Sequence, residues 1–258
     1  MSNVTAGATA SVDCPVGPTY YRIMFTNTGT SLATSHFNRI NVYIDGKVVM
    51  TWKNLDRLLR FNAYYGRTTD SATEFELHFF HAELMDIVYR RAPGIGTKDV
   101  QTLHIEIELD ATAPSDITMK AEAYIDPAPQ PLGVFVKVRE FPYSSAVSGE
   151  VEIDKLPRGA FYSAIHCFKA DISHVEVEAD SVKIVDADKT ELERQQKDAS
   201  PVARVPQTSY ATHIDWVLEG DTAQSIQTDQ LQDFRVKVTL DTSGSVDFVT
   251  ETLDALSA

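Results

Sequence analysis

The sequence predicts an all-β fold made of two tandem units of about 130 residues, each a β-sandwich or jelly roll with a short inserted helix. The stretch Val100–Asp110 (VQTLHIEIELD) is echoed by Leu231–Asp241 (LQDFRVKVTLD). Both stretches alternate apolar and polar residues, which is typical of a strand with one buried and one solvent-facing side. The turns and strands that flank the two copies follow in the same order, so a duplication explains them better than chance.

Matching elements also precede the two copies. In the first half an alternating run ends at Asp45-Gly46, a hairpin signal, and a helix is predicted around residues 54–64 with Asn54 as its cap. In the second half an alternating run reaches Asp180-Ser181, and residues 188–199 are again helical in composition. Each unit is therefore expected to be mostly strand with one inserted helix.

The domain boundary is predicted at a proline-rich segment. Residues 126–131 (DPAPQP) contain three prolines, a composition that favours a stiff, extended linker. We predict an N-terminal unit at residues 1–126, a linker at 127–133 and a C-terminal unit at 134–258. Residues 1–12 are rich in Ser, Thr, Ala and Gly, which predicts a mobile arm.

Composition limits the classes of function. The chain has 258 residues, a net charge of −14 and 43% hydrophobic residues, so each half can form a core. The acidic balance argues against nucleic acid as a direct partner, because phosphate binding requires clustered cationic side chains. Cys14 and Cys167 lie in different halves, and we expect buried free thiols rather than a disulfide. The N-terminal residues lack the basic and apolar regions of a signal peptide, so synthesis in the cytoplasm is expected.

No catalytic, cofactor-binding or metal-ligating residue can be singled out. A cupin metal site needs two histidines at alternate strand positions, and no His-x-His occurs. His78 and His81 are three apart on a predicted strand and should face opposite sides. Residues 186–190 (DADKT) begin like a calcium loop but lack its later glycine and glutamate, so a helix cap is expected there. No cofactor is expected beyond a structural calcium ion, which the sequence allows without identifying its ligands.

Two blocks of the sequence resemble a known family. The run that contains Leu218–Asp221, Gln224-Ser225 and Arg235–Lys237 resembles the last third of the major capsid protein of the corticoviruses, tailless icosahedral phages with an internal membrane. The stretch Val42–Gly46, followed by Lys53–Leu58, resembles the first hairpin and helix of the same protein.

This resemblance implies a double jelly roll and the structural function of a major capsid protein. Such proteins form homotrimers whose six similar barrels make pseudo-hexameric blocks, and these tile an icosahedral shell around an internal membrane. The implied partners are other copies of the chain and the vertex and membrane-associated proteins of the virion, without direct contact to nucleic acid. The implied location is the virion capsid, after synthesis in the host cytoplasm.

Two other classes of function remain as alternatives. One is a carbohydrate-binding β-sandwich of a spike or secreted protein, which an exposed aromatic groove on a monomer would favour. The other is a bicupin-like metal enzyme, which a bound transition metal would favour.

The two echoing strands also predict an interface between barrels. The solvent-facing side of the first strand offers Glu106 and Glu108, and that of the second offers Arg235 and Lys237. In a ring where the two barrel types alternate, opposite charges on these flanks would favour alternation over like-with-like pairing. The alternative interpretation is two solvated faces with unrelated charges.

Overall fold

The computed structural model describes residues 1–67, 71–81 and 83–256 and divides the chain into two compact units. Unit 1 comprises Met1–Arg139 together with the C-terminal residues from Ala255, and unit 2 comprises Glu140–Asp254. Among the described residues, no helix has the length and apolar character needed to cross a membrane.

Unit 1 consists of two antiparallel sheets and two helices. In one sheet the strand order is β1-β7-β3-β4, and in the other β2 lies between β8 on one side and β5 and β6 on the other. The elements are β1 (Thr9–Cys14), β2 (Thr19–Thr28), β3 (Phe37–Ile44), β4 (Lys47–Trp52), α1 (Leu55–Tyr64), β5 (Glu74–His78), α2 (Ile87–Arg91), β6 (Ile95–Gly96), β7 (Leu103–Leu109) and β8 (Thr118–Asp126).

Unit 2 repeats this arrangement. One sheet has the order β10-β16-β12-β13, and in the other β11 lies between β17 on one side and β14 and β15 on the other. β9 (Phe135–Ser145) begins at the end of unit 1. The remaining elements are β10 (Gly149–Ile153), β11 (Phe161–Phe168), β12 (Ile172–Ala179), β13 (Val182–Asp188), α3 (Lys189–Lys197), β14 (Thr212–Asp215), β15 (Ile226–Gln227), β16 (Phe234–Leu240) and β17 (Gly244–Asp254).

The predicted duplication is confirmed by this strand order. β7 lies between β1 and β3 in unit 1, and β16 lies between β10 and β12 in unit 2, so the two echoing strands occupy the same place. In both strands the four apolar side chains are buried and the polar ones between them are partly exposed. Each buried Leu, Ile, Val or Phe contributes roughly 1.5–3 kcal/mol relative to an exposed one.

The hairpin turn of unit 1 is held by a carboxylate. Asp45 and Gly46 both have positive φ angles, 48° and 75°, as a tight primed turn between twisted strands requires. Oδ1 of Asp45 accepts hydrogen bonds from the backbone N–H groups of Gln101 at 2.7 Å and Thr102 at 2.9 Å, just before β7 begins. The turn therefore anchors the start of the central strand.

Unit 2 contains the same arrangement of a hairpin aspartate that accepts two backbone N–H groups, which we call the clamp. Asp180 and Ser181 have φ angles of 48° and 66°. Oδ1 of Asp180 accepts from the backbone N–H groups of Gln232 at 2.8 Å and Asp233 at 2.9 Å, just before β16. A serine replaces the glycine of the first turn, so the repeated feature is the aspartate and its two acceptor bonds.

The predicted helices are confirmed as α1 and α3. Asn54 caps α1 by accepting a hydrogen bond from the Arg57 N–H group at 2.9 Å. Each helix also donates a side-chain amide to a backbone carbonyl of the neighbouring strand: Asn62 to Glu76 at 2.9 Å, and Gln196 to His213 at 2.6 Å. A buried amide that bonds a strand carbonyl fixes the helix along that strand as well as against it.

The prediction of a mobile arm at residues 1–12 is wrong. Thr9–Cys14 forms β1, which pairs with β7 from Thr9 opposite Glu108 to Cys14 opposite Leu103. Ser2 forms an isolated bridge with Ser11, so the residues before β1 fold back along it. The polar composition suits an edge strand, because the ladder hydrogen bonds to β7 order the backbone without many apolar side chains.

A lysine is buried near the start of β9. Lys137 stands between Val136 and Val138 in the sequence, and it is only 2% exposed. Its ammonium group donates a 2.5 Å hydrogen bond to the backbone carbonyl of Ala255, and it lies 5.6 Å from the centre of the Phe135 ring. A cation can be buried in this way when it finds an acceptor and an aromatic face.

Replacing Asp45 by Ala should lower the free energy of unfolding by about 1–2 kcal/mol, because two backbone N–H groups lose their acceptor and Ala tolerates a positive φ poorly. Asp45→Asn, which keeps an acceptor oxygen, is the matched control and should cost much less. Urea unfolding of the three proteins provides the measurement. Equal midpoints for Asp45→Ala and the parent chain would contradict the clamp.

Deleting residues 2–12 should destabilise unit 1 by at least about 2 kcal/mol, because several ladder hydrogen bonds to β7 are lost at roughly 0.5–1.5 kcal/mol each. A shorter deletion of residues 2–6 leaves β1 in place and should have a much smaller effect. Thermal unfolding followed by circular dichroism compares the two. If both deletions melt like the parent chain, β1 does not support the fold.

Candidate inter-barrel interface

The outward side of the β1-β7-β3-β4 sheet carries an acidic group centred on β7. The His104 Nδ1 atom lies 2.6 Å from a carboxylate oxygen of Asp13, and its Nε2 lies 3.4 Å from Glu106. Burial, and then a hydrogen bond with Glu106, raises the pKa of the Tyr43 hydroxyl. Glu108 is partly exposed opposite Thr9. Both glutamates predicted for the interface therefore lie on one outward face.

Lys237 lies on the equivalent face of unit 2, within its own acidic surroundings. Its ammonium group donates to Glu176 at 2.6 Å and to Glu178 at 3.0 Å, both on the neighbouring strand β12. The hydrogen bond to Glu176, followed by that to Glu178, raises the pKa of Lys237. Lys237 is therefore neutralised within its own sheet.

Arg235 is also paired within unit 2, but it is more accessible. Its guanidinium lies 2.6 Å from Asp233 and 3.3 Å from Glu152 on β10, and 41% of its side chain is exposed. The hydrogen bond with Asp233 raises the pKa of Arg235. Of the two predicted cations, Arg235 is the one that a partner could reach.

The rest of this face is a network of alternating charges. Lys183 bonds Glu176 and lies 3.2 Å from Asp186, and His174 lies 2.9 Å from both Asp186 and Asp188. The bond from Lys183 is the main cause of the lowered pKa of Glu176, and the bond with Asp188 is the main cause of the raised pKa of His174. The aspartates of the calcium-like run thus engage His174, and Asp188 is the N-cap residue of α3.

Alignment of β7 with β16 shows which positions correspond. When Leu103 is matched to Phe234, Glu106 corresponds to Lys237, whereas Arg235 corresponds to His104. Glu108 corresponds to an uncharged threonine. Opposite charge at equivalent positions therefore holds for one pair, and a contact between chains through these residues stays a prediction.

A buried histidine pair in unit 2 was not predicted. The Nδ1 atoms of His166 on β11 and His213 on β14 are 2.8 Å apart. Nε2 of His213 accepts from the backbone N–H of Gln207 at 3.2 Å, so a neutral His213 carries its proton on Nδ1 and donates it to His166. Burial, and then the neighbouring His166, lowers the pKa of His213. The partners are far apart in the sequence, so no local pattern could reveal the pair.

His78 and His81 in unit 1 engage separate carboxylates. β5 ends at His78, so His81 lies beyond the strand on which it was predicted. His78 lies 3.1 Å from Glu76, whereas His81 lies 3.0 Å from Glu83, which also forms a buried ion pair with Arg67 at 3.0 Å. Across residues 1–67, 71–81 and 83–256, no group of three His, Cys, Asp or Glu side chains is arranged to hold a metal ion.

Both cysteines are free thiols. Cys167 is fully buried in the core of unit 2, whereas Cys14 is only partly buried. Burial raises the pKa of Cys14 to about 12, so its thiol stays protonated and unreactive near neutral pH.

Comparison with known proteins assigns this arrangement to a family. The family model described as the viral coat protein P2 N-terminal domain matches residues 1–126, and that of the P2 C-terminal domain matches residues 135–256. The major capsid protein P2 of Pseudoalteromonas phage PM2 is 30% identical to this chain over 251 residues, which are 92% of this chain and 88% of that protein.

Solved structures agree. The crystal structure of the major capsid protein P2 from bacteriophage PM2 has a TM-score of 0.89 at 26% identity and covers 98% of this chain and 94% of its own. The STIV MCP matches with a TM-score of 0.68 at 13% identity, covering 98% and 93% of the two chains. The PBCV-1 virus capsid matches with a TM-score of 0.63 at 9% identity, covering 98% and 91%. The last two show the fold alone.

These findings confirm the predicted double jelly roll and the resemblance to corticovirus capsid proteins. They favour neither a carbohydrate-binding module nor a metal enzyme. The chain belongs to the viral coat protein P2 family, and it is a structural phage protein, not an enzyme, that builds the virion capsid.

Proposed function

We propose that the chain assembles as a homotrimer and that these trimers tile an icosahedral shell around an internal membrane. The observation that carries the proposal is the repeated strand order, β1-β7-β3-β4 in unit 1 and β10-β16-β12-β13 in unit 2. Three chains with two such barrels each offer six near-equivalent barrels, and a cyclic arrangement of them closes into a pseudo-hexagonal block. The duplication is then what allows a trimer to pack like a hexamer.

The proposed partners follow from the charge of the chain and from its family. The net charge of −14 disfavours direct contact between this protein and the genome. A membrane between shell and genome, as the resemblance to corticoviruses implies, removes the need for a basic inner surface. Vertex proteins and membrane-associated proteins of the virion are the other partners that we propose.

We further propose that the two outward faces meet between neighbouring chains. Glu106 and Glu108 on β7 would face Arg235, the accessible cation beside β10. Lys237 would contribute less to this contact between chains, because Glu176 and Glu178 already neutralise its charge. Exposed ion pairs of this kind contribute only ~0–1 kcal/mol each, so their effect falls on the fidelity and salt dependence of assembly more than on folding.

Static light scattering on the purified chain at near-physiological salt should give about three times the chain mass of 28.6 kDa. The trimer should be the main species at the concentrations used for scattering, because contacts between subunits of a stable oligomer bury large apolar areas. A stable monomer at high concentration would contradict the proposal. The mass is measured before any test of lipid or partner binding.

Replacing Glu106 and Glu108 by Lys should weaken the trimer at low salt, by about fivefold in dissociation constant for each pair lost. Adding Arg235→Glu should restore it. Lys237 is left unchanged in this rescue, because its side chain is only 17% exposed and a carboxylate there would be confined beside Glu176 and Glu178. The Arg235 position is 41% exposed, so solvent screens a carboxylate there from Asp233 and Glu152. Analytical ultracentrifugation at two salt concentrations provides the measurement.

The control carries the same charge change elsewhere in unit 1, as Glu74→Lys with Glu122→Lys on the exposed sides of β5 and β8. It should leave the dissociation constant unchanged. If the control weakens the trimer equally, or if Arg235→Glu rescues nothing, the charges do not form a specific contact.

A further inference from the structure

A surface pocket of unit 1 concentrates positive charge in an acidic chain. Its cavity has a volume of about 260 Å³ and lies beside α2. We call this surface the arginine patch, and its lining residues are Arg22, Phe80, Ile87, Arg90, Arg91 and Tyr124. Three arginines and two aromatic residues thus line one small pocket, in a protein whose net charge is −14.

One of the three arginines is neutralised. Arg22 donates two hydrogen bonds to the carboxylate of Glu76, at 3.1 and 3.2 Å, and its guanidinium lies 5.5 Å from the centre of the Tyr124 ring. Both bonds come from the Nη1 atom of Arg22, so the carboxylate of Glu76 offsets the charge of this arginine and holds it at one wall of the pocket.

The charges of the other two arginines, Arg90 and Arg91, are not offset by a carboxylate among the residues that the structure describes. Arg91 lies 5.2 Å from the centre of the Tyr21 ring and reaches to 3.5 Å of the Tyr124 hydroxyl. Arg90 donates its Nε proton to the backbone carbonyl of Leu84 at 2.6 Å. Among the residues that the structure describes, neither Arg90 nor Arg91 forms an ion pair with a carboxylate. Two positive charges are therefore available to a ligand.

Exposed apolar side chains surround these charges. Met85 is 66% exposed, Ile87 53% and Val88 68%, and the neighbouring tyrosines Tyr89 and Tyr124 are also exposed. Exposed apolar side chains next to unpaired cations are complementary to an amphiphilic ligand, which carries an anionic group and a hydrocarbon part. A soluble anion would use the arginines and leave the apolar side chains in water.

We propose that the arginine patch binds the phosphate groups of an anionic phospholipid surface, with Met85, Ile87 and Val88 entering the boundary between headgroups and acyl chains. A guanidinium presents paired N–H donors that suit phosphate oxygens. Tyrosines are favoured at the same depth of a bilayer. Because salt screens charges beyond about 8 Å, the local patch and not the distant acidic residues decides the attraction. The patch would then be the place where the chain meets the membrane of the proposed function. The proposal rests on that function only for the presence of this membrane.

The test uses the full chain and flotation with two kinds of vesicle, one of phosphatidylcholine alone and one of equal parts phosphatidylcholine and phosphatidylglycerol. The chain should float with the anionic vesicles and dissociate as salt rises. Arg90→Gln with Arg91→Gln should weaken binding about 30-fold, the effect of two cations near the surface. Val88→Asp should also weaken binding strongly, because it replaces the most exposed apolar side chain of this segment by a second carboxylate beside Asp86.

The matched control is Arg39→Gln with Lys120→Gln, which removes the same charge from exposed positions of unit 1 outside the patch. It should bind vesicles like the parent chain. Thermal unfolding of each variant verifies that it is folded, and the exposed position of Val88 keeps that variant informative if the arginine variant melts early.

Several outcomes would overturn the inference. One is that the parent chain floats with neither vesicle. Another is that Val88→Asp binds as well as the parent while inorganic phosphate competes, which would assign the patch to a soluble anion. A change in native mass of the arginine variant without lipid, at unchanged vesicle binding, would assign it to contacts between chains. Since mass is measured separately from flotation, the trimer and the lipid site can fail independently.

Discussion

A carboxylate at the tip of a hairpin governs the register of the central strand in both units. Asp45 and Asp180 each accept two backbone N–H groups from the residues that precede β7 and β16. Side chains alternate along a strand, so a shift of one residue would move every apolar side chain of that strand to the solvent. The clamp joins segments more than 50 residues apart and sets this register at one end.

Other polar contacts are repeated along with the clamp. Thr97 accepts from the Gly17 N–H group in unit 1, and Thr228 accepts from Gly159 in unit 2, at 2.7 and 3.1 Å. The hydroxyl of a buried tyrosine donates to a proline carbonyl five residues earlier in both units, at 2.6 Å in each case. The apolar residues of the two cores can exchange for one another at similar volume, whereas a backbone group needs its partner at a fixed place. The duplication is therefore best preserved in these hydrogen bonds.

The outward faces have diverged more than the scaffold. At equivalent places on β7 and β16, Glu106 lies near His104, and Lys237 lies between two glutamates. An assembly that uses two similar barrels in different positions must distinguish them, and charge on equivalent strands is a means of discrimination that leaves the core unchanged. The arginine patch beside α2 is a further difference, since its exposed cations and apolar side chains lie in unit 1.

The sequence by itself determined the local features. Alternation at Leu103, Ile105 and Ile107 predicted which side of β7 is buried, Asp45-Gly46 predicted the turn, and Asn54 predicted the start of α1. Each of these depends on neighbours within a few residues, and the chain repeats them, so the sequence alone predicts the duplicated β fold.

Only the tertiary structure decided which strands and side chains meet. The polar composition of residues 1–12 predicted disorder, but the free edge of β7 pairs with Thr9–Cys14 and orders it. Lys237 had the pattern of an exposed cation, yet the carboxylates that neutralise it lie on another strand some 60 positions away. His166 on β11 contacts His213 on the paired strand β14. Periodicity encodes the direction in which a side chain points, and the partner it meets there is set by strand order, which joins distant parts of the chain.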